Sequence, residues 1–245
     1  MLSVDPAYEM YPGVSPFAYT LQNPVRYVDP TGMFVEDHEY SIDKQGNVRK
    51  EKHIEGSASD NLHTKENWDL GITDKGISVT DQSILNNLSK DDPNYIANSF
   101  WGKKIGAWSK TSNKRDAYKV FKFGSDNSQV EWGLEEYTND RFLIGNNHFS
   151  EAVGSMTDVA GYNIKDLKRD YHSHLGTTNT DNQASGQMGD QGHASRIIQE
   201  LLNQKIDYSN HPKFFIYMPQ LESKFQYNPW NNKFNIKNVK NANDL

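Results

Sequence analysis

Residues 130–146, VEWGLEEYTNDRFLIGN, and residues 167–174, LKRDYHSH, decide the fold. Val130 to Tyr137 and Arg141 to Asn146 are short runs rich in aromatic and aliphatic side chains, joined by Thr138-Asn139-Asp140, residues suited to a hairpin turn. Leu167 to His174 reads as a further strand. Upstream, Ala117, Val120 and Phe121, with Gly124 following, fit one face of a helix. Downstream, Ala194, Ile197, Ile198, Leu201 and Leu202 share one face of a helix spanning about 191 to 204. Lys213 to Met218 and Lys224 to Tyr227 then close the domain as strands. Helix, hairpin, strand, helix and strands in that order predict an α/β or α+β fold, a mixed β-sheet flanked by helices.

Outward from this block the chain thins. We divide it into residues 1–33, a polar leader at 34–113 with short strands, the main domain at 114–235 and a polar tail at 236–245. In the leader, residues 40–48 resemble a hairpin turning near Gln45-Gly46-Asn47, and Gly76 to Thr80 suggests another strand. Residues 1–33 carry five of the nine prolines, interleaved with Tyr8, Tyr11, Phe17, Tyr19 and Tyr27. Each proline fixes its own φ and disfavours helix at the preceding residue, so only short extended pieces fit there.

Composition removes several classes of function. The chain has no cysteine, which excludes disulfides, thiolate metal sites and cysteine nucleophiles; any metal must be held by histidine and carboxylate. A net charge of -6 and the lack of a basic stripe argue against a nucleic-acid partner. No apolar run approaches the roughly 20 residues that span a bilayer, and no signal segment follows Met1, so a membrane partner is not expected.

The chemistry centres on His172-Ser173-His174. On a strand, residues i and i+2 point to one face, so the two imidazoles can serve one ion. A catalytic zinc takes three protein donors and leaves a fourth position for water. A Gly/Thr/Asn/Ser-rich loop follows, then Gly189-Asp190 at the mouth of the 191–204 helix. Asp190 is the choice for the third donor, with Asp181 as its rival. Taken alone, Asp190 fits better as a helix cap, where Asp bonds free amides. Glu131, about 40 residues upstream, could act as a general base, or face solvent as a lone strand glutamate commonly does. His148 lacks a second metal-binding half at a nuclease-like spacing, and His193 either supports the site or faces solvent.

Together, DNSQVEWGLEEY, YHSHLGT and ASGQMGDQGHA resemble the JAB/JAMM metallopeptidase signature, and in particular the JAB-like toxins found behind Rhs cores. The stretch SVDPAYEMYPGVSPFAYTLQNPVRYVDPTGM resembles the carboxy-terminal end of the Rhs/YD-repeat core. The resemblance implies a JAB/JAMM, cytidine-deaminase-like architecture preceded by an extended Rhs remnant. It implies Zn2+ held by His172, His174 and Asp190, with Glu131 as acid/base and Ser185 orienting water or stabilising the oxyanion. Two departures accompany it: Leu175 stands where the family has proline, and the family spacing would place Ser and Asp at positions occupied by Gln183 and Gly186.

The function so implied is zinc-dependent amide or isopeptide hydrolysis by a secreted or delivered bacterial effector. Its substrate would be a peptide tail or a ubiquitin-like conjugate, and its producer would carry an immunity protein. Two other readings stand beside it: a non-catalytic interaction module on the same fold, and a metal-dependent nuclease toxin.

Overall fold

The computed structural model describes residues 36–55, 59–99, 102–176 and 189–245; at 36, 37, 54, 55, 99 and 231–236 it describes the backbone only. The 1–33 segment, Asp181 and Ser185 lie outside the described residues. Within them the fold is mixed α+β, with two mixed sheets and five α-helices.

The chain enters through β1 (Glu36–Ile42) and β2 (Val48–Glu55), an antiparallel hairpin turning at Gly46, whose φ of 77° suits glycine. Strand β3 (Asp60–Thr64) pairs parallel with β1, and β4 (Ile77–Val79) pairs antiparallel with β3. Helix α1 (Lys65–Asp69) separates these two strands, and α2 (Gln82–Leu88) follows.

The second sheet has eight strands. Its first two are β5 (Asp92–Ser99) and β6 (Gly102–Thr111), followed by α3 (Lys114–Asn127) and the hairpin β7 (Trp132–Tyr137) and β8 (Arg141–Asn146). Next come α4 (Thr157–Ala160), β9 (Leu167–Ser173), α5 (Asp190–Asn203), β10 (Lys213–Met218), β11 (Ser223–Asn228) and β12 (Asn231–Asn238). The strand order is β12-β11-β10-β9-β7-β8-β6-β5, with β9 and β10 its parallel pair. Parallel neighbours cannot be joined by a tight turn; the connection here carries α5. That crossover returns α5 to the carboxyl end of β9, the usual place for a site in such sheets.

One face of the large sheet is covered by α3 and the small sheet. Trp132, Leu134, Tyr171, Phe215 and Tyr217 pack there with Val120 and Phe121, and with Tyr40, Ile42 and Leu62 from the leader. The other face is covered by α5, whose Ala194, Ile197, Ile198 and Leu201 pack on Phe214, Ile216 and Met218. The residues read as a polar leader therefore supply part of one core. Their apolar side chains are few and alternate with charged ones, which hides the pattern. The sheet also draws strands from both sides of residue 114, because Thr111 of β6 pairs with Phe142 of β8. At the other end β12 runs past residue 236, and Val239 is fully buried.

Leader and main domain are tied by one buried carboxylate. Asp116 Oδ2 accepts hydrogen bonds from the main-chain amides of Thr80 and Asp81, the Thr80 hydroxyl and the Asn113 amide, all at 2.7 to 2.8 Å.

Candidate metal centre

Strand alternation builds the site. On β9, Asp170 and His172 point to the α5 face, while Arg169, Tyr171 and Ser173 point to the α3 face. His174 lies just past the end of β9, yet its amide still donates to Tyr217 O at 2.9 Å, so the strand geometry carries through both histidines. Their Nε2 atoms stand 3.1 Å apart.

Asp190 completes the group. Gly189 occupies the cap position of α5 and makes no side-chain cap bond, which leaves Asp190 on the first helical residue. Its Oδ1 lies 3.3 Å from His172 Nε2 and its Oδ2 3.4 Å from His174 Nε2. His172, His174 and Asp190 form a group that could hold a metal ion. Burial pushes the Asp190 carboxyl up, but the charges and hydrogen bonds of His172 and His174 outweigh it and hold the group far below the usual carboxylate range.

Glu131 sits one residue before β7, where its amide donates to Phe149 O at 2.7 Å. Its Oε1 is 3.9 Å from His174 Nε2, and it is buried, not solvent-facing. Burial raises its pKa to about 7 against the opposing pull of His174 and His172. The middle residue of the His-Ser-His run fixes this glutamate relative to the histidines: Ser173 Oγ accepts the Trp132 amide at 2.9 Å, with both residues fully buried.

The same face carries residues that the sequence reading left out. Period two runs from Glu131 through Gly133 to Glu135 on β7, and back from His172 to Asp170 on β9; following that period would have found them. Gly133 pairs with His172 and Glu135 with Asp170. Glu135 accepts from the Met156 amide, Tyr137 and Thr157, and its pKa is raised by burial and by the Asp170 charge. His193, one turn along α5 from Asp190, bonds Asp170 at 3.0 Å, so it braces the helix against β9. Burial lowers its pKa, but the Asp170 bond and the Asp170 and Glu135 charges outweigh that and leave it raised. His148 is held elsewhere, between Gln45 O and Asp91.

A cavity of about 640 Å3 opens along this face, lined by Glu131, His172 and Asp190 at one end and by Ile96, Ala97 and Val153 on its wall. It is of ordinary small-ligand or peptide-segment size.

Residues 109–197 match a family model described as JAB-like toxin 1. The match takes in α3, the β7–β8 hairpin, β9, both histidines and Asp190, and supports a JAB-like toxin domain over that span. No curated protein and no solved structure matches the chain.

Proposed function

We propose that this chain is a zinc-dependent metallopeptidase or isopeptidase acting as a toxin effector, with His172, His174 and Asp190 as ligands and Glu131 as acid/base. The observation that carries the reading is the spacing of the three donors. Atoms bound at about 2.0 to 2.1 Å to a tetrahedral zinc stand roughly 3.3 to 3.4 Å apart. Here the two imidazole nitrogens stand 3.1 Å apart, Asp190 Oδ1 lies 3.3 Å from His172 and Oδ2 3.4 Å from His174, and one ligand atom from each residue falls within 4.8 Å of the others. Two imidazole nitrogens and a carboxylate are also the hard and borderline donors zinc accepts.

A bound zinc would supply Lewis acidity toward the scissile carbonyl and would lower the pKa of water. The protein supplies the proton transfers. Glu131 Oε1 takes a proton from the attacking water and delivers it to the leaving nitrogen. Ser173 holds the Glu131 backbone at the end of β9. Ser185, as water-orienting or oxyanion-stabilising residue, rests on the family resemblance alone.

The cavity supports an extended polypeptide substrate. Its wall includes Ile96, Ala97 and Asn98 of β5, the last strand of the large sheet, whose outer edge has no strand partner among the described residues. A peptide tail or ubiquitin-like conjugate laid along that edge would reach the three donors. Delivery to another cell and a cognate immunity protein belong to the same proposal.

The test is elemental analysis of the purified chain and of the His172→Ala/His174→Ala double variant, followed by amide cleavage assays. About one zinc per chain, lost in the double variant, and cleavage lost in Glu131→Gln are the expected results. A chain that takes up no zinc when zinc is supplied would sink the reading.

A further inference from the structure

The α3 face of the large sheet carries charge that the linear sequence conceals. Six cationic side chains, Lys114, Arg115, Arg169, Lys213, Lys224 and Lys237, line a cavity of about 510 Å3 above Tyr118, Tyr171 and Phe215. They come from α3 and four different strands, so no window of sequence shows them together. The chain as a whole is acidic, at -6.

Sheet register makes the cluster unusual. Arg169 on β9 lies directly opposite Lys213 on β10, and Lys224 on β11 lies directly opposite Lys237 on β12. Like charges in directly opposed positions destabilise a sheet. Here two such pairs lie on one face around one cavity.

Nearby carboxylates offset them only in part: Glu136 acts on Arg169 and Asp244 on Lys224. Glu136 pairs with Arg169 at 2.6 Å and accepts from Tyr118 at 2.7 Å. Asp244 is engaged in capping its own short helical turn, accepting from the Lys240 and Asn241 amides. Lys224 is buried, donates to the Leu245 main-chain oxygen and lies 5.6 Å above the Phe215 ring. Burial, then Lys237 and Arg169, push its pKa down, against the opposing pull of Asp244.

We propose that this cavity binds a small ligand bearing several negatively charged oxygens, of the oligophosphate class, on the face of the sheet opposite the metal donors. Repulsion between opposed cations is relieved when anionic oxygens sit between them. The cations line a half-open concavity of small-molecule size, which favours a compact polyanion over a nucleic-acid strand. The site shares no side chain with the His172, His174 and Asp190 group, so it stands or falls apart from the metallopeptidase reading.

The experiment is calorimetric titration of the full chain with inorganic tripolyphosphate at low ionic strength, on the wild type and on Lys213→Ala/Lys237→Ala. Both substituted side chains are exposed. The expected result is saturable one-to-one binding, weakened at least tenfold in the variant and weakened by added salt. Without ligand the variant should unfold at or above the wild-type temperature, because each substitution removes one opposed like-charge pair. Absence of saturable binding, or equal affinity in the variant, overturns the site. Tighter binding of a single-stranded oligonucleotide than of tripolyphosphate, with the same sensitivity to the variant, overturns the small-ligand assignment.

Discussion

Replacing Ser173 by alanine should separate holding a metal from using it. The Ser173 hydroxyl is the acceptor for the Trp132 amide at 2.9 Å, and neither residue is exposed. Without it, that amide is left buried with no acceptor, at a cost of about 1 to 3 kcal/mol. For a chain of this size each kcal/mol moves the melting temperature by about 2 to 4 °C, so a fall of roughly 2 to 12 °C is expected. Urea unfolding of the full chain measures the energy directly, with exposed Ser150→Ala as a control that should stay within about 0.5 kcal/mol. The histidine pair keeps its own anchor, the His174 amide on Tyr217 O, so metal stoichiometry should be retained. Glu131, one residue from the loosened amide, should lose its placement, and amide cleavage should fall. Stability within about 0.5 kcal/mol of wild type, or cleavage unchanged at lower stability, would refute the positioning role of Ser173.

Three further outcomes follow from the packing and charges. Asp116→Ala strips four donors of their shared acceptor and should destabilise the chain by about 3 kcal/mol or more, read from urea unfolding. Gly124→Ala would place a methyl carbon 2.5 Å from Trp132 Cε2 and 2.7 Å from two more atoms of its indole, a clash that should cost about 1 to 3 kcal/mol in the same assay. Glu136 is pushed up by burial, but its bonds to Tyr118 and Arg169 prevail and leave its pKa below the ordinary 4.5. Its contribution to stability is therefore full above about pH 4.5 and lost as pH falls through the depressed folded value; acid unfolding of Glu136→Gln should be the flatter in that range.

The β7–β8 hairpin and β10 were legible as short runs rich in aromatic and aliphatic residues, buried at nearly every position, and α5 by its 3.6-residue period. The His-Ser-His run was legible because strand geometry alone puts residues i and i+2, both imidazoles, on one face. Asp190 was harder, because aspartate at a helix start serves as a cap as readily as a ligand. The structure puts Gly189 at the cap position and Asp190 on the first helical residue, a matter of backbone φ and ψ that sequence does not display. The leader was not legible as core. Tyr40, Ile42, Val48 and Leu62 are scattered among charged residues, and some of those, such as Glu39 and His63, are themselves buried as a bonded pair. The cationic cavity was invisible for a different reason: its members are up to 123 positions apart, from Lys114 to Lys237, and only strand register brings them together.

Strand β9 therefore behaves like a reading frame. Odd positions, Arg169 and Tyr171, spell the cationic cavity, and even positions, Asp170 and His172, spell the cavity on the opposite face, with one peptide unit between the two texts. A one-residue slip of its pairing register would exchange every side chain between faces at once, sending imidazole toward the cations and guanidinium toward Glu131 and Asp190. Point substitutions can alter either face separately, whereas a register slip of this strand must disrupt both together.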